Sequence, residues 1–212
     1  MVEGLSPWQS GFAALALRGA ASVLEIAGKP DGALRDELSR WSPGCWYLSA
    51  ELGAPAASVP RPAADALAIL AAVPLQPNSY DLIALTQAIP RIVLDAVAER
   101  EGMAIERGQW QTRLPDLMRA LRAYWRSGEV EEIAAPRIAA VVRACAGALR
   151  RQGAIVFSHH VDDEDLLLGH PLDLHTEYVP LIRSWVAASN VGLAEKRVEG
   201  MDPQWWLCLR GQ

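Results

Sequence analysis

All four histidines of the chain lie in one short segment, HHVDDEDLLLGHPLDLH, which covers residues 159–175 and also carries five acidic residues. Histidine changes its charge near neutral pH, so a histidine at the mouth of a site can act as a general base. We take His159 and His160 as the candidate catalytic residues, removing a proton from an acceptor hydroxyl or amine. His175 is a candidate contact to the bound substrate.

Two other interpretations of the same segment remain open. Asp162, Asp163 and Asp165 could bind a divalent metal together with a histidine, since carboxylates and imidazoles are common ligands. That site would make the chain a metal-dependent hydrolase, but the residues do not have a recurrent ligand spacing such as HExxH. The third interpretation is a polar surface loop whose acids cap the next helix, and we therefore expect no resident metal.

A second group of candidates lies in LMRALRAYWRSG, residues 117–128. Tyr124 and Trp125 stand beside three arginines, so they could stack on an aromatic substrate or help to hold an anionic one. We take both as candidate substrate contacts. Leu117, Leu121 and Trp125 are also spaced at i, i+4 and i+8, which is typical of one buried helical face, and this alternative stays open. Of the other tryptophans, Trp46, Trp185 and Trp206 are expected in the core.

The elements that would position these side chains alternate between strands and helices. Such alternation predicts a parallel sheet covered by helices on both faces. The predicted strands are Ser22–Ile26, 45–52, 79–87 and 154–160, with a short edge strand within 53–64 and two closing strands that form an antiparallel hairpin. The predicted helices include one in the first twenty residues, Asp31–Trp41, 137–153 and 177–190.

Composition excludes several classes of function. The formal net charge is −5 over 212 residues, which leaves no electrostatic footprint for a nucleic acid. No apolar stretch approaches the roughly 20 residues that span a bilayer, and the N-terminus has no basic segment of the kind that begins a signal peptide. The three cysteines are far apart and are expected to be reduced core thiols. We therefore expect a cytoplasmic protein that binds neither nucleic acid nor membrane.

Five segments in this order resemble the class I S-adenosylmethionine-dependent methyltransferases. SVLEIAGKPDG is similar to the first motif of that family, and CWYLSAEL to its second strand with a terminal acid. The motif along the fourth strand of the family resembles VPLQPNSYDLIALTQAI. The fifth strand with its preceding turn is similar to ALRRQGAIVFSHH, and the closing hairpin is similar to GLAEKRVEGMDPQWWLCLRG. The resemblance covers most of the chain.

The resemblance implies an α/β fold: a Rossmann-like, seven-stranded, mainly parallel sheet with helices on both faces and an antiparallel C-terminal hairpin. It further implies one domain over residues 1–212, with a helical insertion at about 95–132. The implied cofactor is S-adenosyl-L-methionine, bound at the carboxyl ends of three strands. The cofactor-binding residues that the resemblance implies are Glu25, Ala27, Gly28, Gly32, Glu51, Leu52, Thr86 and Gln87.

The first motif departs from the family pattern. From Glu25 the alternate positions that glycines normally hold carry Ala27, Lys29 and Asp31, whereas Gly28 and Gly32 are one place out of register. A turn that is longer by one residue would return Gly32 to the start of the helix. The segment before Pro74 also lacks the acid that meets the adenine amine in the family, and Asp65 is the nearest acid.

The resulting prediction is methyl transfer from the cofactor to a small-molecule acceptor. Because transfer is an in-line displacement, the protein mainly aligns the reactants and excludes water, so an obligatory nucleophile need not be visible. The alternative is a methyltransferase-fold protein without transferase activity that acts as a binding or assembly partner. A homodimer or a protein partner is compatible with either.

Overall fold

The computed structural model describes residues 5–17, 19–28, 32–52, 68–70, 72–103, 110–161 and 169–211. The helices are α1 Pro7–Ala14, α2 Ala33–Trp41, α3 Ile89–Arg100, α4 Trp110–Ser127, α5 Val130–Ala148 and α6 Leu172–Ala188, with a short 3-10 helix at Ala68–Leu70. The strands are β1 Ser22–Ala27, β2 Trp46–Glu51, β3 Tyr80–Thr86, β4 Leu149–Ser158, β5 Leu193–Glu195 and β6 Trp206–Gly211.

These strands form one mixed sheet of six in the described part of the chain, in the order β2-β1-β3-β4-β6-β5. β1, β2, β3 and β4 are parallel to one another, whereas β6 runs antiparallel to both β4 and β5. The predicted antiparallel closing pair is confirmed, because the chain reverses between β5 and β6. The predicted edge strand within 53–64 lies outside the described residues, so a seventh strand is not confirmed.

Helices cover both faces of the sheet, as the alternation of elements predicted. Val23 of β1 packs in one apolar cluster with Phe12 of α1 and Leu34 of α2. Its neighbour Leu24 points to the opposite face and packs in a larger cluster with side chains of α3, α4, α5 and α6. Successive side chains of a strand face opposite sides, so an apolar strand such as β1 must be covered twice.

The helix predicted over 137–153 is wrong at both ends. α5 begins at Val130 and ends at Ala148, and Leu149 already pairs with Tyr80 in the sheet. Arg150 therefore belongs to β4 rather than to the helix, and it forms an ion pair with Asp81 at 2.8 Å. The apolar run continues without a break from helix to strand, so periodicity gave no signal for the boundary.

The three tryptophans expected in the core have different environments. Trp185 is buried in α6, as predicted. Trp46 is 64% exposed, which corrects the expectation of a core position. It begins β2, which has a described neighbour on one side only, and it belongs to neither apolar cluster. Trp206 is partly buried and packs against the cluster of α1 and α2.

The helical insertion predicted at about 95–132 contains the end of α3 and all of α4, while residues 104–109 lie outside the described part. α4 packs against α3 and α5 on the face of the larger apolar cluster.

Among the helices that the structure describes, none combines the length and apolar character required to cross a membrane.

Candidate functional site

A cleft of about 520 Å³ opens at the carboxyl ends of β3 and β4. Its lining comes from α1, from the start of α2, from the residues that follow β3 and β4, and from the segment before β6. The lining residues are Trp8, Ala33, Leu34, Thr86, Gln87, Ser158, His159, His160, Val161, Trp205 and Trp206.

The cleft lies where the strand order reverses. β2 is on one side of β1 and β3 is on the other, so the chain leaves β1 and β3 in opposite directions across the sheet. In open α/β sheets this divergence creates a crevice at the carboxyl ends of the strands, and ligands bind there. Ala33 and Leu34 reach the cleft from the element after β1, and Thr86 and Gln87 from the end of β3.

Gln87 fixes the floor of the cleft by joining the ends of β3 and β4. Its Nε2 donates to the carbonyl of His160 at 2.8 Å, and its Oε1 accepts from the amide of His160 at 3.0 Å. The backbone amide of Gln87 donates to the carbonyl of Ser158 at 3.0 Å. Gln87 itself has φ of +49°, which is uncommon for a residue other than glycine. Three hydrogen bonds therefore hold this turn in one conformation.

The irregular glycines of the first motif have separate structural roles. A Cβ at position 28 would lie 1.9 Å from the carbonyl oxygen of Gln87, so only glycine fits there. Gly32 has φ of +77° and is the N-cap of α2, as the longer turn predicted. Ala27 is the last residue of β1 and is not among the described residues with positive φ, so alanine is accommodated there without strain. Lys29 and Asp31 lie outside the described residues.

Glu25, predicted to contact the cofactor, is engaged inside the protein. Glu25 is 1% exposed, and its carboxylate accepts hydrogen bonds from Thr86 Oγ1 at 2.6 Å and from the Tyr47 hydroxyl. Burial and this hydrogen bond raise the pKa of Tyr47 to about 12. The three side chains belong to β1, β3 and β2, so Glu25 ties three strands together at the edge where the cleft opens.

Glu51 is the last residue of β2 and Leu52 follows it, and the two have different environments. Glu51 is exposed. Burial lowers the pKa of Arg91 on α3, and the carboxylate of Glu51 is one of two that oppose this by favouring the charged guanidinium. Leu52 is 1% exposed, and its amide donates to the carbonyl of Ala27 at 3.0 Å. Of the two, Glu51 is therefore the residue whose side chain can reach a ligand.

Three of the four histidines form a buried cluster behind the cleft. His159, at the end of β4, lies with Nε2 2.9 Å from Nδ1 of His175 on α6, and their rings are almost parallel. His170 Nε2 is 2.6 Å from the hydroxyl of Tyr178, also on α6. His159 is 2% exposed and His175 is fully buried, whereas His160 is exposed. His159 is thus the member of the cluster that also lines the cleft.

Burial keeps His170 uncharged at neutral pH. The pKa of His170 is lowered to about 3, mainly because burial disfavours the imidazolium and further because His175 and His159 lie close by. Within the described residues, no group of three or more histidine, cysteine or acidic side chains is arranged to hold a metal ion. Asp162, Asp163 and Asp165, which the metal interpretation needs, lie outside the described residues.

Tyr124 and Trp125 are not among the residues that line the cleft. The hydroxyl of Tyr124 donates to Glu101, at the end of α3. Trp125 Nε1 donates to the carboxylate of Asp173 on α6 at 2.6 Å, while Leu117 and Leu121 are fully buried. These contacts join α4 to its neighbours, which matches the alternative of a packing face. His175 is also closed off from solvent and can influence a ligand only through His159.

Sequence reasoning did not identify the aromatic walls of the cleft, Trp8, Trp205 and Trp206. One signal was available for the last two. Adjacent residues of an extended chain point to opposite sides, so the tandem tryptophans cannot both enter the same core. Trp8 gave no such signal, because a tryptophan on a short amphipathic helix is usually part of a core.

No protein-family model matches this chain, and no curated protein matches it in sequence. Among solved structures, it is similar to a protein assigned as a sarcosine dimethylglycine methyltransferase of Galdieria sulphuraria, at 13% identity and a TM-score of 0.41. That match covers 90% of this chain and 61% of the other, so the chain spans less than two thirds of that protein.

Two further solved structures match most of both chains. The release-factor-specific protein-(glutamine-N5) methyltransferase of Alicyclobacillus acidocaldarius has 10% identity and a TM-score of 0.41, over 97% of this chain and 90% of that one. The N-methyltransferase NodS of Bradyrhizobium japonicum has 9% identity and a TM-score of 0.42, over 97% and 92%. All three are named as methyltransferases.

Proposed function

We propose that this chain transfers a methyl group from S-adenosyl-L-methionine to a small-molecule acceptor. The observation that carries the proposal is the cleft at the reversal of strand order, with a buried histidine at its floor. In sheets of this kind ligands bind at that place, and a base beside the ligand is what activation of an acceptor requires.

The residues around the ends of β1 and β2 fit the cofactor. The N-cap of α2, Gly32, has no side chain to cap the helix, so the positive end of the helix dipole favours the carboxylate of the methionine part. Glu51 presents an exposed carboxylate at the end of β2, which is suited to accept hydrogen bonds from ribose hydroxyls. Glu25 would act indirectly, by holding Thr86 in place.

When bound, S-adenosyl-L-methionine supplies an activated methyl group: the acceptor forms a bond to the methyl carbon as the carbon–sulfur bond breaks and its electron pair stays on sulfur. A histidine of the cleft lining, His159 or His160, would accept the proton that the acceptor loses. Nε2 of His159 is held 2.9 Å from Nδ1 of His175, and this contact fixes the orientation of the His159 ring. Trp205 and Trp206 would exclude water from the acceptor.

Calorimetry with the cofactor and with its demethylated product tests the proposal. We expect micromolar binding to the wild-type chain and at least a tenfold loss in Glu51→Ala. Glu131→Ala is the matched control, because Glu131 is exposed on α5 and, unlike Glu51, does not stand at the carboxyl end of a strand. Absence of binding at millimolar ligand would overturn the proposal and leave the alternative of a binding or assembly partner.

A further inference from the structure

A second cavity, of about 780 Å³, lies at the opposite edge of the sheet from the cleft. The cleft is at the carboxyl ends of β3 and β4, whereas this cavity is at their amino ends, beside the carboxyl end of β6. The described residues that line the one are all different from those that line the other. A ligand in this cavity therefore leaves the cleft free.

One wall of the cavity is a bulge in β4. Leu149 pairs with Tyr80 of β3, and the next residue of β4 in register is Ala154, opposite Leu82. Residues 150–153 therefore stand where β3 has a single residue. A bulge turns side chains out of the regular alternation of a strand, and bulges are common beside functional sites. This one brings two consecutive arginines into the lining of the cavity.

The backbone of the bulge is held in one conformation. Gln152 has φ of +72°, which is uncommon for a residue other than glycine. A Cβ at position 153 would lie 3.0 Å from the carbonyl oxygens of Arg150 and Tyr80, so the chain closes tightly around Gly153. Arg210 of β6 secures the bulge from the other side, because its Nε donates to the carbonyl of Gln152 at 3.0 Å.

Three arginines line the cavity, and two of them lack an acidic partner. Arg150 is paired with Asp81 at 2.8 Å. Arg151 is exposed, and neither Arg151 nor Arg210 forms an ion pair with an acid that the structure describes. Within that part of the chain, the bond to the bulge is the one polar contact of the Arg210 side chain, so its two terminal nitrogens remain available.

This positive charge is local, because the chain as a whole has a formal net charge of −5. Glu195 is the acid of β5, the strand next to β6, and its carboxylate accepts from Arg183 Nε at 2.9 Å. Glu195 is therefore already paired and does not serve as the partner of Arg210. Two guanidinium groups in one concave site favour an anion that carries two negative charges.

The shape and the rest of the lining favour a small organic anion. The volume is within the range of small-molecule sites, roughly 300–1,000 Å³. Asn78 and Gln152 supply amide groups, and Leu193 supplies an apolar surface. A phosphoryl group fits the charge, because its second pKa is about 6 and it carries nearly two negative charges above pH 7. Its oxygens also match the planar fork of a guanidinium, which can donate two parallel hydrogen bonds.

We propose that the cavity at the bulge of β4 binds a small phosphomonoester, with its phosphoryl oxygens held by Arg151 and Arg210 and its organic part against Leu193. This site lies at the other edge of the sheet from the cleft assigned to methyl transfer. It therefore goes beyond the proposed function and does not depend on it.

Calorimetry on the full chain without cofactor, at pH 7.5 and low salt, tests the ligand class. The main probe is phenyl phosphate. Phenyl sulfate has the same shape with one charge fewer, and phthalate places its two charges on separate carboxylates. We expect phenyl phosphate to bind at least tenfold more tightly than either, because its second charge strengthens the hydrogen bonds to a second arginine. Equal binding of the phosphate and the sulfate, tighter binding of phthalate, or no binding of phenyl phosphate at millimolar concentration would overturn the proposal.

Variants locate the binding. Arg151→Gln should weaken binding of phenyl phosphate at least tenfold, and because Arg151 is exposed, the variant is expected to fold. Arg210→Gln should weaken it as well. Arg126→Gln is the matched control, since it removes the same charge from an exposed position on α4 that does not line the cavity. Unchanged binding in Arg151→Gln, with urea unfolding showing a folded protein, would overturn the placement of the ligand.

A short oligothymidylate without a terminal phosphate tests the other class of partner that arginines suit. Its phosphodiesters carry one charge each, and the net negative charge of the chain opposes binding of a long anion, so we expect weaker binding than for phenyl phosphate. Tighter binding of the oligothymidylate would identify a nucleic-acid surface and overturn the proposal.

Competition separates this site from the cleft. Saturation with the demethylated cofactor should leave binding of phenyl phosphate unchanged, and displacement would place phenyl phosphate in the cleft and overturn the proposal. If the chain binds phenyl phosphate but neither the cofactor nor its demethylated product, the methyl-transfer proposal fails and the phosphomonoester site stands. If it binds the cofactor but not phenyl phosphate, the reverse holds.

Discussion

Gly28 and Gln87 are in backbone contact across the point where β1 and β3 diverge. The amide of Gly28 donates to Thr86 at 2.9 Å, and the space that a Cβ of residue 28 would need is filled by the carbonyl of Gln87. The same Gln87 holds the end of β4 through its side chain. Gln87 therefore holds the loops after β1, β3 and β4 in fixed positions relative to one another.

Replacement of Gly28 by alanine should be strongly destabilising. The new methyl group would meet backbone rather than a flexible side chain, so the turn after β3 must move. We expect a loss of about 2–3 kcal/mol in the free energy of unfolding, measured by urea denaturation. Gly147→Ala is the matched control, since a Cβ there meets open space in α5, and it should stabilise by about 0.5–1 kcal/mol. A Gly28→Ala variant as stable as the wild type would contradict the contact.

Replacement of Glu25 by glutamine tests the network that joins β1, β2 and β3. An amide nitrogen would replace one of the two oxygens that accept from Thr86 and Tyr47, at a position that water does not reach. We expect a loss of about 1–3 kcal/mol in unfolding free energy. A double-mutant cycle with Thr86→Val should give a coupling energy above about 0.5 kcal/mol, and strict additivity would argue against the hydrogen bond.

Kinetics of the histidine variants test the roles of His159 and His175. His159→Gln should lower kcat by about 10²–10⁴-fold with a smaller change in KM, because a general base acts in the transition state. His175→Ala should lower kcat less and should displace the acidic limb of the pH profile, since it removes the partner of the base. His160→Gln should have a smaller effect than His159→Gln. If His159→Gln and His160→Gln lowered kcat equally, His159 would not be the general base by itself.

Acid should destabilise the protein through His170. Its pKa is lowered to about 3 in the fold, against about 6.5 in the unfolded chain, so the unfolded state binds more protons between these values. Stability is therefore complete above pH 6.5 and falls as the pH drops toward 3, by on the order of 3–5 kcal/mol. His170→Gln should reduce this slope in urea titrations at pH 7.5, 6, 5 and 4. His160 is exposed, so His160→Gln should leave the slope of stability against pH unchanged. An unchanged slope in His170→Gln would show that His170 is not the cause of the acid destabilisation.

Local patterns predicted much of the fold. Leu34 and Leu38 are spaced at i and i+4, and both are buried on α2. The apolar runs of β1 and β3 predicted buried parallel strands, and the closing segments predicted an antiparallel pair. These features follow from residues that are close in sequence, because the period of a helix or strand is set by its own backbone geometry. Where α5 runs directly into β4, no break in the apolar pattern marks the change.

The sequence by itself determined the order of strands and helices along the chain and the position of His159 and His160 just after a strand, and it predicted that a longer turn would return Gly32 to a helix start. The tertiary structure decided which side chains meet. Glu25 and Thr86 are 61 residues apart, and His159 and His175 are 16 apart across a turn of the chain. Trp8 reaches the cleft only because α1 packs beside β6. Such contacts depend on which strands are neighbours and on how helices lie across them, and periodicity along one segment carries no information about either.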